Sequence, residues 1–502
     1  MLRAACGESG TNEVAHRSIE HEPSDTPPVF HPTDDMCCRA LACGMKQVLE
    51  RFDHVLVGTG QATATLIAGL DSDDRIAVIE GGAIGGTCVN VGCTPTKTLV
   101  ASARVAQLAR RGAEYGVTTG GVAVDFGAAM GRMNDVRYGS RDGLTRFLAT
   151  KENVTLVRGW ARFSGPRTLE VGDRTIIGEQ VYLNVGARAV EPPIEGLADV
   201  PWLDNVRILE LDRLPEHLVV IGASYIALEL GQVFRRFGAD VTVIEAADRV
   251  LPREDADVAD EVRRVLEREG IRFEVGASVE RVAPKGDGVC VTLDGSTTFE
   301  GSHLLVATGR RPNTDRLDLH LAGIDTDERG YVVVDGHART SAAGVFALGD
   351  VNGRGAFTHT SVHDAQVLLD LLHGAERPRS IDDRDVVYAL FTDPPLGRVG
   401  LTEAQAAASG ARVLRAIKPM SSISRAKEMG ETQGFVKVLV DADTDRFLGA
   451  SVLGVAGDEV IGLFALAMSA GMTTSEFRRV VVPHPTVGEL MPFVLAGLKP
   501  LD

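Results

Sequence analysis

Twice in this chain a short apolar strand runs into a small-residue turn, a helix and a second strand that stops on glutamate. The first unit is His54-Val55-Leu56-Val57, Gly58-Thr59-Gly60-Gln61-Ala62-Thr63, a helix to about Leu70, and Ile76-Ala77-Val78-Ile79-Glu80. The second is Leu218-Val219-Val220-Ile221, Gly222-Ala223-Ser224-Tyr225-Ile226-Ala227 and Val241-Thr242-Val243-Ile244-Glu245. This pattern is a dinucleotide fingerprint in its required strand–turn–helix context. Gly58 makes the tight turn, and Gly60 lets the backbone approach a pyrophosphate at the helix N-terminus. Glu80 and Glu245 stand where a carboxylate can hold a ribose diol. Thr63 replaces the third glycine, which questions close helix–strand packing there but not the phosphate site. Ser224 replaces the second glycine of the second unit, a small-for-small exchange. The expected fold is α/β, with two Rossmann-like dinucleotide-binding domains. The alternative for the second unit is a relic that holds no cofactor.

Between the two units lies Gly85-Gly86-Thr87-Cys88-Val89-Asn90-Val91-Gly92-Cys93-Thr94-Pro95-Thr96-Lys97. A helix is expected from Thr94 to about Leu108: Pro95 suits a first turn, and Leu99, Val100, Ala103, Val105, Ala106 and Leu108 recur at helical spacing. A cysteine at such an N-terminus faces unpaired N–H groups and the positive end of the helix dipole, which favour the thiolate. Buried cysteines in a glycine turn, or half of a zinc site, are the alternatives. Zinc would want two more Cys or His ligands nearby, and none follow.

That cysteine segment resembles the active-site signature of the flavin-dependent pyridine nucleotide–disulfide oxidoreductases, a family that includes dihydrolipoyl dehydrogenase, glutathione reductase and mercuric reductase. The resemblance runs from about Phe52 to the C-terminus. It implies FAD on the first unit, with Gly58, Gly60, Glu80, Gly86 and Thr87 at the cofactor, and a nicotinamide cofactor on the second, with Gly222, Ser224, Tyr225, Glu245 and Gly309. Val181 to Gly186 and Leu304 to Gly309 resemble the family's crossovers between nucleotide domains, and Arg310-Arg311-Pro312-Asn313 fits the second of them. Val345-Phe346-Ala347-Leu348-Gly349-Asp350 matches its distal flavin motif, with Asp350 on the ribityl chain. The implied FAD domain is therefore discontinuous, 45–195 and 315–382, split by an NAD(P) domain at 196–314. A C-terminal α+β dimerisation domain, 383–502, is expected to carry strands at Tyr388–Val399 and Gly434–Val440 and helices at Glu403–Ser409 and Gly457–Ala470.

By the same resemblance Cys88 and Cys93 form a redox disulfide, Cys93 facing the flavin and Cys88 meeting the substrate. Lys97 and Glu229 match an ion pair beside the flavin. Tyr225 matches the ring that covers the nicotinamide pocket, with core packing as its plainer reading. His484-Pro485-Thr486-Val487-Gly488-Glu489 matches a His–Glu pair that reaches into the partner's active site, His484 as acid–base and Glu489 fixing its tautomer. A homodimer with shared sites follows. Glu245 would repel a 2′-phosphate, so NADH is expected over NADPH, with Arg249 and Arg253 close enough in sequence to offset it.

The acceptor is less constrained. The tail Leu498-Lys499-Pro500-Leu501-Asp502 lacks the cysteine pair with which mercuric reductases deliver Hg²⁺, a soft ion that demands thiolates. Thr94-Pro95-Thr96-Lys97 departs from the Ile-Pro-Ser-Lys usual in dihydrolipoyl dehydrogenases and looks more like mercuric-reductase-like proteins, some of which reduce copper. A disulfide or soft-metal acceptor is expected. The alternative is a dihydrolipoyl dehydrogenase serving as a subunit of a 2-oxo-acid dehydrogenase complex.

The 502 residues exceed what one core holds. A net charge of −17 argues against nucleic acid and anionic membranes as partners. No apolar run is long enough to span a bilayer, and seven cysteines do not make a secreted disulfide framework, so a cytoplasmic enzyme is expected. No resident metal site is expected. Residues 1–44 lack periodicity and are expected to be disordered and dispensable, and the vicinal Cys37-Cys38 lacks the spacing of a metal-binding appendage.

Overall fold

The computed structural model describes residues 48–501; the expectations for residues 1–44, including Cys37-Cys38, fall outside them. The first sheet is built on strand β1 (Val48–Val57), which pairs in parallel with β2 (Ile76–Glu80) on one side and with the strand Arg174–Leu183 on the other. β3 (Val154–Arg158) extends it beyond β2, and Val345–Ala347 returns from far along the chain to pair with Val181–Leu183. Strands with such runs of buried aliphatic residues suit a parallel sheet covered on both faces by helices. Helix α1 (Gln61–Gly69) connects β1 to β2, so its N-terminus stands at the carboxyl ends of the strands, where open α/β sheets bind ligands.

The second nucleotide unit repeats this plan with four parallel strands in the order Arg272–Val275, Asp240–Glu245, His217–Ile221, His303–Val306. The short antiparallel ribbon Ala187–Ala189 with Arg310–Pro312 joins it to the first sheet. The C-terminal region is a six-stranded antiparallel sheet carrying the helix Gly457–Ser469. The stretch Tyr388–Val399, expected as one strand, is two. Val387–Leu390 and Leu396–Gly400 pair as a hairpin, because Phe391-Thr392-Asp393-Pro394-Pro395 turns the chain between them. The architecture is α/β: two Rossmann-like domains and an α+β dimerisation domain.

Two helices carry the cysteine segment into the core. Cys88 lies in α2 (Gly86–Val91), and after a break at Gly92 α3 runs from Cys93 to Arg110. The buried residues of α3, Pro95, Thr98, Leu99, Ala103 and Ala106, form one helical face. Leu99 and Ala103 share a core with Met130 and Met133 of α4 (Phe126–Ala149) and Leu228 of α5 (Tyr225–Phe237). Burying a leucine such as Leu99 is worth about 1.5–3 kcal/mol. Packing of this face fixes Cys93 relative to both nucleotide units.

Candidate active site

The two nucleotide turns close in the same way. Gly58 N donates to Ile79 O and Gly222 N to Ile244 O, each at 2.8 Å. Both glycines have left-handed φ, +95° and +99°, and an added Cβ would lie 2.4 Å from Asn184 O at Gly58 and 2.6 Å from Ala307 O at Gly222. The glutamates clasp these turns. Glu80 accepts from Thr59 N at 2.9 Å and Gly82 N at 2.7 Å, and Glu245 accepts from Ala223 N at 2.7 Å and Ala247 N at 2.9 Å. Thr63 does not disturb the packing: its buried hydroxyl donates to Gly58 O at 2.8 Å.

Gly85 and Gly86 also adopt left-handed φ, and a Cβ on Gly86 would lie 3.1 Å from Gly60 Cα. The cysteine segment therefore starts directly against the first nucleotide turn, and Gly85 N donates to Thr59 Oγ1 at 2.9 Å. Asn90, buried, straps the loop by donating to Ile84 O and Gly86 O, both at 2.9 Å, while its Oδ1 accepts from Arg141. Thr87 is half-buried in the first turn of α2.

Cys88 and Cys93 are both free thiols here. The Cys88 S–H, the Thr358 hydroxyl and the Lys97 charge, acting against burial, bring Cys93 down to about 6. Cys88, the donor of that pair and itself desolvated, is pushed up. At neutral pH one thiolate therefore resides on Cys93, at the first residue of α3. Lys97 Nζ is 2.5 Å from Glu229 Oε2 and 4.6 Å from the Phe391 ring centroid, while Glu229 Oε1 accepts from Phe391 N at 2.8 Å. Asp393 in the same turn is paired with Arg104 of α3 and, at 2.6 Å, with Arg236 of α5, so three regions are tied at the redox helix.

A cleft of about 1180 Å³ opens on the second unit. It is lined by Gly222, Ser224, Tyr225, Glu245, Gly309 and, from the first domain, Asp350. Asp350 is held by Arg310 at 2.6 Å. Arg253 lines the cleft, whereas Arg249 turns to Asp248. Gly349 approaches the first unit instead: a Cβ there would lie 2.7 Å from Ser361 Oγ and 3.2 Å from Asn184 Nδ2.

His484 and Glu489 are paired at 2.8 Å on the C-terminal region, and the imidazole faces outward, its side chain 75% exposed against 12% for Glu489. Among the described residues its side chain hydrogen-bonds Glu489 and neither cysteine. Three carboxylates, Asp255, Asp257 and Glu403, converge as a cation site would, but Lys437 Nζ lies among them at 3.2, 2.5 and 2.8 Å.

The model of the pyridine nucleotide-disulphide oxidoreductases matches residues 52–365, and that of the family's dimerisation domain matches residues 386–493. The chain belongs to this family. It is 38% identical over 450 residues to the probable pyridine nucleotide-disulfide oxidoreductase RclA of Escherichia coli K12, covering 88% of this chain and 98% of that one. Mercuric reductase of Bacillus cereus is 32% identical (87% and 70% covered), and dihydrolipoyl dehydrogenase of Halobacterium salinarum 34% (87% and 94%). The solved Cu(II) complex of the HOCl-induced flavoprotein disulfide reductase RclA from E. coli superposes with a TM-score of 0.81 at 36% identity, over 89% of this chain and 99% of that one.

The protein is thus a flavoprotein oxidoreductase that uses FAD and a pyridine nucleotide. Its residues fit FAD on the first unit: α1 starts directly behind Gly60 with no side chain capping its first N–H groups, the donor set a pyrophosphate takes. Three site residues escape a motif reading. Asn184 and Asn90 sit in runs that read as a strand end and a turn, and Thr358 precedes no recognisable signature. Their only sequence signal is polarity: Asn90 and Asn184 prove buried, and Thr358 half-buried against Cys93.

Proposed function

We propose that the protein is an NAD(P)H-dependent disulfide oxidoreductase of the mercuric-reductase-like branch, passing electrons through FAD and the Cys88–Cys93 pair to a disulfide or soft-metal acceptor. The observation that carries this reading is the asymmetric dithiol, with Cys93 lowered to about 6 at the start of α3 and Cys88 raised beside it. The 38% identity to RclA and the Cu(II) present in that relative's structure support a metal ion among the acceptors to be tested.

Bound on the first unit, FAD supplies two-electron exchange between a hydride donor and the disulfide. The chain does the rest. Glu245 and the Gly222 turn hold the pyridine nucleotide, Glu245 favouring NADH, and Tyr225 covers the nicotinamide end of the cleft. Lys97, neutralised in part by Glu229, favours negative charge beside Cys93. With a disulfide acceptor, Cys88 as thiolate attacks one sulfur and forms a mixed disulfide, releasing the first thiol. Cys93 then attacks Cys88 sulfur, releasing the second thiol and restoring the Cys88–Cys93 bond. His484 of the partner subunit takes the Cys88 proton and returns it to the leaving thiolate, with Glu489 fixing its tautomer. The outward-facing imidazole, together with exposed Leu466, Val481 and Phe493 on the same domain, supports a homodimer with shared sites.

Anaerobic reduction by NADH, followed by a panel of lipoamide, glutathione disulfide, Hg²⁺ and Cu²⁺, tests the reading. A long-wavelength thiolate-to-flavin band should appear, fade as pH falls through about 6 when Cys93 takes a proton, and vanish in Cys93→Ser. Normal disulfide turnover in both Cys88→Ser and Cys93→Ser would sink it. Turnover confined to lipoamide would support the alternative, a dihydrolipoyl dehydrogenase of a larger complex, which the 34% identity to such an enzyme keeps in view.

A further inference from the structure

Cys93 has a neighbour that the cysteine motif does not contain. Cys93 is the first residue of α3, and Thr358 is the first residue of the helix Thr358–Leu372. Their side chains meet, with Thr358 Oγ1 3.4 Å from Cys93 Sγ. Two helix N-termini, drawn from segments on either side of the second nucleotide unit, therefore converge on one sulfur. Each end offers unpaired N–H groups and positive partial charge, which favour an anion between them.

Thr358 is also anchored on both sides. Phe357 stacks on Tyr388 with ring centroids 5.4 Å apart and planes within 5°, and lies 6.0 Å from Tyr225. His359 stacks on Phe357 at 5.4 Å, and its Nε2 is 2.6 Å from Val387 O. The hydroxyl cannot turn away as a unit with its backbone without dismantling this aromatic layer, whose Phe357, Tyr388 and Tyr225 line the nucleotide cleft.

We infer that Thr358 is a working member of the redox site, donating its O–H to the Cys93 thiolate and keeping that sulfur anionic while Cys88 is engaged by the acceptor. The inference rests on Cys88 and Cys93 being the redox pair proposed above. The ionisable groups acting on Cys93 are Cys88 on α2 and Lys97 on α3. Neither can serve at that stage as Thr358 does. Lys97 is committed to Glu229 at 2.5 Å. Cys88 stops being a donor when its sulfur is bonded to the acceptor in the mixed disulfide, because its proton has left. Cys93 must still be a thiolate then, to attack Cys88 sulfur and expel the acceptor's thiolate, which takes up a proton. The Thr358 hydroxyl, which does not titrate in the working range, remains a donor throughout.

The test uses holoenzyme carrying Cys88→Ala, which lacks the S–H donor as the mixed disulfide does. Iodoacetamide alkylation of Cys93 is followed against pH, alone and with Thr358→Val or Thr358→Ser added, alongside the long-wavelength band. Loss of a hydrogen bond to a charged group should raise the alkylation midpoint by about one pH unit in Thr358→Val, tenfold in the thiolate-to-thiol ratio. Thr358→Ser should restore the Cys88→Ala midpoint, which a purely structural role of the threonine would not predict. Should the valine variant lose flavin, Thr358→Ala, which adds no bulk, should show the same upward shift. An unchanged midpoint in Thr358→Val, or an equal shift in Thr358→Ser, overturns the inference. A shifted alkylation midpoint without any long-wavelength band in the parent would uphold Thr358 as the donor and overturn instead the flavin-facing role of Cys93.

Discussion

The two nucleotide units share their backbone frame and differ in one compensated pair. Asn184 N donates to Val57 O and Ala307 N to Ile221 O, both at 2.8 Å, so Asn184 and Ala307 hold the same place in the two units. In the first, Asn184 fills the turn: a Cβ on Gly60 would lie 2.3 Å from its Oδ1, and its Nδ2 donates to Leu348 O at 3.0 Å. In the second, Ala307 offers no such side chain, and Ser224 stands where the first unit needs glycine. The second fingerprint glycine, unlike the left-handed Gly58 and Gly222, is therefore not required by the turn alone. It is required by what the neighbouring strand end places against it. The first unit is knitted to Leu348, Gly349 and the cysteine segment, while the second opens onto its cleft.

The harshest way to break the comparison is at the glycines common to both units. Gly58→Ala would force a Cβ onto Asn184 O at left-handed φ and should cost on the order of 3 kcal/mol or more, with most flavin lost on purification. Gly222→Ala should instead leave flavin in place and abolish reduction by NADH; flavin absorbance per protomer and stopped-flow reduction separate the two outcomes. Next, Ala307→Asn would import the first unit's side chain against Ser224. It should weaken pyridine-nucleotide binding by about tenfold or more, and adding Ser224→Gly should recover most of that loss, since contacting residues couple by about 0.5–3 kcal/mol. An additive double mutant, measured by the KM for NADH, would show that the pair is not compensated.

Smaller effects sharpen the comparison. Glu245→Gln keeps one acceptor for the clasp but removes the charge, so the kcat/KM ratio of NADH over NADPH should fall by about tenfold, toward the influence of Arg253 in the cleft. An unchanged ratio would assign cofactor choice elsewhere. Thr63→Val, nearly isosteric, removes the hydroxyl that reaches Gly58 O and should lower stability by about 1 kcal/mol with flavin retained. A neutral result by thermal melting would mean that Gly58 O is satisfied without it.

Much of the fold was readable because its elements carry local signatures. The runs ending at Val57, Glu80, Ile221 and Glu245 are apolar strands with turns at their ends, and the structure builds them as parallel neighbours. Pro95 and the spacing of Leu99, Ala103 and Ala106 announced the helix that bears Cys93, although it begins one residue earlier, at Cys93 itself. The helix α2 that carries Cys88 has no counterpart in the sequence reading, since a six-residue helix opening on Gly86 has no periodicity to detect. The run from Tyr388 to Val399 concealed a hairpin because Phe391 to Pro395 turns under tertiary restraint: Phe391 N is bound to Glu229 and Asp393 N to Gln232 Oε1.

What the sequence by itself determined is the set of chemical parts: two glycine turns between strand and helix, a glutamate at the end of each second strand, two cysteines at a helix start, and an ion pair of Lys97 with Glu229 inferred from resemblance. The turns and the helix rest on short-range patterns, where backbone conformation follows from a few adjacent residues, whereas the ion pair rests on the resemblance alone. What only the tertiary structure decided is which groups face one another across the chain. Asn184 against Gly60, Ala307 against Gly222, Thr358 on Cys93 and Arg104 on Asp393 join residues from separate segments, and none has a local signature. The acidity of Cys93 belongs to the same class. It depends on a thiol, a hydroxyl and an ammonium brought together by packing, and electrostatic shifts of that size arise from distance and burial rather than from order along the chain.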